Sequence, residues 1–173
     1  MRKLYFPIIS ILLTSCFFAN FAEAQRKKPK VKVAESYKIA REGIGIEGIT
    51  VGTSSRSDVI EKLGKNYVRK TYGKYSYSIN YAGLGLAFYY CQTDRRQEIF
   101  DIEIRAPYKA KTGKGIILGQ STLEDIYKIY GRSTNGLKYT GVNFFYAKSR
   151  GKNIVTVIDI VENAGIRQCT EAK

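Results

Sequence analysis

The chain has 173 residues, 29 lysines and arginines against 15 aspartates and glutamates, and no histidine. The missing histidine excludes Ser-His-Asp and Cys-His nucleophile pairs, histidine metal sites and the commonest general base near neutral pH. A formal charge of +14 points to an anionic partner (lipid headgroups, acidic glycan, nucleic acid or an acidic protein) without choosing among them.

Residues 1–24 read as a secretory signal peptide. Arg2 and Lys3 start it, an apolar run fills Leu4 to Phe18, and Ala22-Glu23-Ala24 forms a small-x-small cleavage site before Gln25. A competing reading takes Leu13-Thr14-Ser15-Cys16 as a lipobox, which would make Cys16 the lipidated N-terminus of an outer-membrane lipoprotein; Phe17 and Phe18 directly after it count against lipidation. An uncleaved anchor fits poorly, because a membrane span needs about 20 apolar residues and Asn20 and Glu23 interrupt this run. The mature chain is therefore expected to be exported, periplasmic or secreted, without a transmembrane segment. Cleavage removes two basic residues and one acidic one, which leaves a charge of +13.

Residues 25–42 form a basic leader and linker. Five positive charges on residues 25–33, together with Pro29, suit either a tether to an anionic surface, at about 1 kcal/mol per basic residue, or a solvated spacer.

From residue 43 the chain states one pattern twice. Gly48-Ile49-Thr50-Val51-Gly52-Thr53-Ser54 through Gly64 aligns without a gap on Gly115 through Gly131, and Gly48, Ile49, Gly52, Ser54, Asp58 and Gly64 meet identical residues. Residues 43–110 and 111–163 are thus two repeats of a single domain, followed by a tail at 164–173. Gly43-Ile44-Gly45-Ile46-Glu47-Gly48 matches a dinucleotide fingerprint in letters, yet its last glycine leads into another extended stretch rather than a helix, so no nucleotide cofactor is expected, nor any other.

A short helix follows in each repeat. Ser54 or Ser121 is the expected N-cap, with Ser121-x-x-Glu124 as a capping box and Ser55-x-x-Asp58 as an acidic variant one residue along. Val59, Ile60 and Leu63, then Leu123, Ile126, Ile129 and Tyr130, lie near helical spacing. Gly64 and Gly131 stand where a left-handed C-cap is wanted.

Strands come next. Tyr75, Tyr77, Ile79 and Tyr81 alternate with polar residues, Leu84 to Tyr90 continue on the next segment, and Phe100, Ile102 and Ile104 alternate with Asp101, Glu103 and Arg105. The second repeat matches with Leu137 and Tyr139, with Val142, Phe144 and Tyr146, and with Ile154 to Ile160. The expected fold is α+β: two tandem repeats, each a short helix followed by an antiparallel β-meander, forming a helical layer on one antiparallel sheet. Asp101 and Glu103 share one side of a strand, roughly 6.5 to 7 Å apart, and are read as its wet side rather than as a catalytic pair.

At these residues the chain resembles a known group. The Gly-x-Ile-x-x-Gly-x-Ser…Asp-Val…Leu-Gly opening, then Tyr-x-Gly-Leu-x-Leu-x-Phe and a closing Ile-x-Ile, is similar over residues 43–161 to the repeat of the β-lactamase inhibitory protein and the SmpA/OmlA/BamE envelope lipoproteins. The resemblance implies a helical layer on an antiparallel sheet, export to the envelope, and work by protein contact. It carries no binding residue over.

Candidate contacts come from apolar residues on the second side of the strands: Tyr89, Phe145, Val155 and Val157. Either that side is covered by residues 34–47 or the C-terminal tail, or forms a seam between the repeats, or it meets a partner, most simply an envelope protein. Basic hairpin turns, with Arg95 and Arg96 in one and Lys148, Arg150 and Lys152 in the other, would line one positive rim if the repeats lie side by side; solvated turns are the plainer reading. Cys91 and Cys169 are either a disulfide or two free thiols. The functional expectation is an exported, non-catalytic interaction module, the alternative a binder of an anionic ligand through leader and turns.

Overall fold

The computed structural model describes residues 36–163 and Cys169. The signal peptide, Cys16, the leader up to residue 35 and the tail apart from Cys169 lie outside the described residues.

Thirteen elements follow in chain order: β1 (Lys38–Arg41), β2 (Gly45–Ile46), β3 (Ile49–Thr50), α1 (Arg56–Leu63), β4 (Val68–Tyr72), β5 (Ser76–Tyr81), β6 (Leu86–Cys91), β7 (Ile99–Arg105), β8 (Ala110–Thr112), α2 (Leu123–Tyr130), β9 (Lys138–Tyr139), β10 (Val142–Ser149) and β11 (Lys152–Val161). Strands outweigh two short helices, so the fold is mixed α+β. The described residues form two sheets rather than the one expected. The larger runs β4-β5-β6-β7-β11-β10-β9 and the smaller β3-β2-β1-β8. In the smaller sheet β1 pairs β8 in parallel, Lys38 opposite Ala110. Strands of two to four residues show too little alternation to be read from sequence. The glycine-rich fingerprint folds here as the β2–β3 hairpin, with Glu47 (φ 49°) and Gly48 (φ 80°) at its turn.

Both helices start one residue later than Ser54 and Ser121 suggested. Ser55 and Thr122 are the N-caps, and each sits in a capping box with the aspartate three residues on. Asp58 accepts the Ser55 N–H at 2.7 Å and Asp125 accepts the Thr122 N–H at 2.8 Å. The pair Ser55 and Asp58 therefore caps as read, whereas Ser121 and Glu124 give way to Thr122 and Asp125. Ser54 and Ser121 act earlier, their hydroxyls accepting the N–H of Thr50 and Ile117 at 2.9 Å to close the turn before the helix. Gly64 and Gly131 end the helices with φ 83° in both, but with ψ of −175° and 171°. That is the positive φ expected, combined with an extended ψ because the chain leaves straight away from the helix.

Helices this short are marginal alone, and each buries an apolar side on the large sheet. Val59 and Ile126 are fully buried, as are Tyr77, Phe88, Ile102, Ile104, Ile158 and Ile160. Two register shifts adjust the alternation. Tyr89 faces Asp101 but Tyr90 faces Ile99, leaving Phe100 extra; Phe145 faces Val157 but Tyr146 faces Val155, leaving Thr156 extra. Inserting one residue turns its neighbours to the opposite side of the sheet. Val155, expected on the contact side, is consequently a core residue with no exposed surface.

Candidate functional site

The second face of the large sheet collects the strand residues that alternate with the core. Register places Ser78 and Asn80 of β5 beside Tyr89 and Ala87 of β6, then Asp101, Glu103 and Arg105 of β7, then Val161, Asp159 and Val157 of β11, then Asn143 and Phe145 of β10. Of the expected contact residues, Tyr89 and Val157 are half-buried on this face, and Phe145 is 52% exposed.

Tyr89 lies at the centre of an aromatic and polar cluster. Its ring lies 5.5 Å from that of Tyr72 and 6.2 Å from that of Phe100, and its hydroxyl donates to Glu103 at 3.3 Å. Glu103 also pairs with Arg105. Burial, together with the Glu103 carboxylate, pushes the Tyr89 phenol well above its ordinary value. Beside this pair lies a cavity of about 320 Å³ lined by Val68, Lys70, Asn80, Ala87, Glu103 and Arg105. The Asn80 amide donates to the Val68 carbonyl at 3.2 Å and to Ser78 at 2.6 Å, which holds β4 in place at the sheet edge. β4, with Val68 and Tyr72 exposed, was not anticipated, because Lys70 between them breaks the alternation that marks a half-buried strand.

Asp101 and Asp159 overturn the reading of this strand side as wet. They are 9% and 6% exposed, and one oxygen of each is buried without a partner among the described residues. Removal from water, then the charge on Glu103, raises the Asp101 carboxyl to about 7. Burial, followed by the charges on Asp101 and Glu103, raises Asp159 to about 8. Among the described residues no group of three or more histidine, cysteine, aspartate or glutamate side chains is arranged to hold a metal ion. Chemically, the face offers aromatic surface, hydrogen-bond partners and the ion pair of Glu103 with Arg105.

The basic turns do not share an edge. β7 and β11 pair antiparallel, with Asp101 opposite Val161 and Arg105 opposite Val157. The turn before β7, with Arg95 and Arg96, therefore lies at one end of the sheet, and the turn before β11, with Lys148, Arg150 and Lys152, at the other. All five side chains are exposed. The single positive rim expected from side-by-side repeats is not formed, because β7 and β11 run in opposite directions and the turns that precede them fall at opposite ends.

Cys91 and Cys169 form a disulfide with Cα atoms 5.2 Å apart, which resolves the two readings of these cysteines. Among the described residues no helix is long and apolar enough to cross a membrane. No family model matches the chain, and neither a curated protein nor a solved structure matches it significantly.

Proposed function

We propose that this chain is an exported, non-catalytic protein-interaction module of the bacterial cell envelope, built from a duplicated helix-and-meander unit. Duplication is supported by features that recur at matched positions. The extra residues of the two register shifts, Phe100 and Thr156, are counterparts in the sequence alignment. Gly52 and Ser54 bond to the backbone of Ile99 as Gly119 and Ser121 bond to that of Val155. Tyr81 and Tyr139 each donate a hydroxyl, at 2.7 Å, to the glycine carbonyl that ends the preceding helix, Gly64 and Gly131 respectively. Where the halves meet, Glu103 faces its own counterpart Asp159, as a local two-fold axis requires.

The observation that carries the interaction reading is exposed aromatic surface at two places on the second face, Tyr72 (42%) beside the half-buried Tyr89 and Phe145 (52%) on β10, with the buried Asp101, Asp159 and Val161 between them. Apolar surface of this kind, rimmed by polar groups, marks contact sites, and tyrosine is a favoured anchor. The resemblance to the β-lactamase inhibitory protein and the SmpA/OmlA/BamE lipoproteins supports the same reading.

The test is capture from envelope extract at low and high salt, with the captured protein identified, purified and rebound. Tyr89→Ala and Phe145→Ala are expected to weaken rebinding by about tenfold or more, whereas Arg95→Ala with Arg150→Ala alters mainly association rate and salt sensitivity. Capture that survives both aromatic changes but disappears at high salt would replace this reading with the anionic-ligand one.

A further inference from the structure

The two halves of the large sheet end differently. In the first half β5 covers β6 along its whole length, from Ser76 opposite Cys91 to Tyr81 opposite Leu86. In the second half β9 faces only Val142 and Asn143 of β10, and β10 runs on to Ser149. The Phe144 N–H reaches outward to the Leu137 carbonyl. Strand alternation then aims the N–H groups of Tyr146 and Lys148 the same way, and no strand pairs with them among the described residues. The reason is loop length: Gly131 and Lys138 are separated by six residues, whereas the corresponding stretch of the first half has room for β4 and most of β5.

The first half displays what fits such an edge. Tyr90 is fully buried beneath Tyr77 of β5, their rings stacked at 5.2 Å. Its counterpart Tyr146 is 46% exposed, beside a cavity of about 330 Å³ lined by Tyr127, Leu137, Phe144, Phe145 and Tyr146. The charged side chains of β10 and its flanking segments are basic, although Lys128 and Lys152 lie within electrostatic reach of Asp125 on α2. Residues 126–158 contain Lys128, Arg132, Lys138, Lys148, Arg150 and Lys152 and no acidic residue. That disfavours the basic leader of this same chain as occupant and favours a negatively charged one.

We infer that the outer edge of β10, from Tyr146 to Ser149, binds an extended acidic segment of a partner protein as an added antiparallel strand, with an aromatic side chain lying on Tyr146 as Tyr77 lies on Tyr90. Backbone hydrogen bonds would supply affinity, the aromatic pocket register, and the basic surround the choice of an acidic sequence. The inference rests on the duplication reading and adds a binding edge to the proposed contact face.

The probe is a peptide, fluorescein-Glu-Glu-Ser-Tyr-Ser-Ile-Asn-Glu-Glu-amide, which carries Ser76 to Asn80 of β5 between glutamates, titrated by anisotropy into the disulfide-intact protein. Saturable binding is expected. Tyr146→Ala, and separately Lys138→Glu with Lys148→Glu, should each weaken it by about tenfold or more, as should N-methylation of alternate peptide amides. In the complex the amides of Tyr146 and Lys148 should exchange with solvent more slowly. Circular dichroism and urea midpoints confirm that the variants, altered at exposed positions, remain folded. Absence of saturable binding, equal binding of the N-methylated peptide or of one flanked by lysines, amide exchange unchanged by the peptide, or the same amides already protected in the free chain would each overturn the inference. Failure here with intact sensitivity to Tyr89→Ala and Phe145→Ala would remove the edge and leave the contact face standing.

Discussion

Replacing Asp101 by asparagine should make the protein more stable in mild alkali and leave it nearly unchanged in acid. Asp101 is 9% exposed, one of its oxygens is unpartnered among the described residues, and Glu103 and Asp159 sit on the same face. Its carboxyl is raised from 3.8 to about 7. The folded state thus keeps a proton that the unfolded state releases over this window. The resulting stability is fully present below about pH 4 and is lost as pH rises to about 7, since stability falls with pH wherever the folded state binds more protons. Each pH unit of displacement corresponds to about 1.4 kcal/mol, so the ceiling is about 4 kcal/mol, and screening near the sheet surface reduces it to about 2 kcal/mol. Asparagine keeps the shape and the orphaned oxygen while removing the charge, so the difference between variant and wild type isolates ionisation from packing. Urea unfolding followed by far-ultraviolet circular dichroism, disulfide intact, at about pH 4 and pH 8.5, measures it. An equal gain at both pH values would refute the assignment of the cost to charge burial. A loss at pH 8.5 would show that the carboxylate is ionised and paired in the folded protein.

Two further outcomes are expected. Serine at both Cys91 and Cys169 opens a link between residues 78 apart and should lower stability by about 4 kcal/mol in the chain-entropy model, read as a lower urea midpoint; an unchanged midpoint would show that the bridge does not constrain the unfolded chain. A Cβ added at Gly64 or Gly131 meets no atom within 4 Å, so the φ of 83° is the feature that opposes Gly64→Val and Gly131→Val, and each should cost about 1 kcal/mol or more by thermal or urea unfolding. Equal midpoints for wild type and both variants would refute the strain argument.

Short-range features were legible in the sequence itself. The capping pair of Ser55 and Asp58, the helix-ending glycines and the period-two runs of Tyr77 to Tyr81 and Ile102 to Ile104 each depend on a few neighbouring residues, so their pattern is written where they act. A mixed α+β fold with two short helices followed from them, and Cys91 and Cys169 were the one pair of cysteines that removal of residues 1–24 would leave. Tyr89 and Phe145 were identified as non-core for the same reason, because alternation sets them against Phe88 and Phe144. Tertiary structure decided the rest. The caps moved from Ser54 and Ser121 to the next residue because the earlier hydroxyls close a turn against Thr50 and Ile117. Val155 entered the core because one extra residue in β11 reversed the alternation, an insertion that costs little locally and is visible only against a partner strand. Asp101 read as wet because alternation tells which side a residue takes but not what else lies on that side. The separation of the two basic turns, and the outer edge of β10 left unpaired among the described residues, depend on which strands pair and in which direction. That choice is made by the sheet as a whole, through hydrogen bonds between residues more than 50 positions apart.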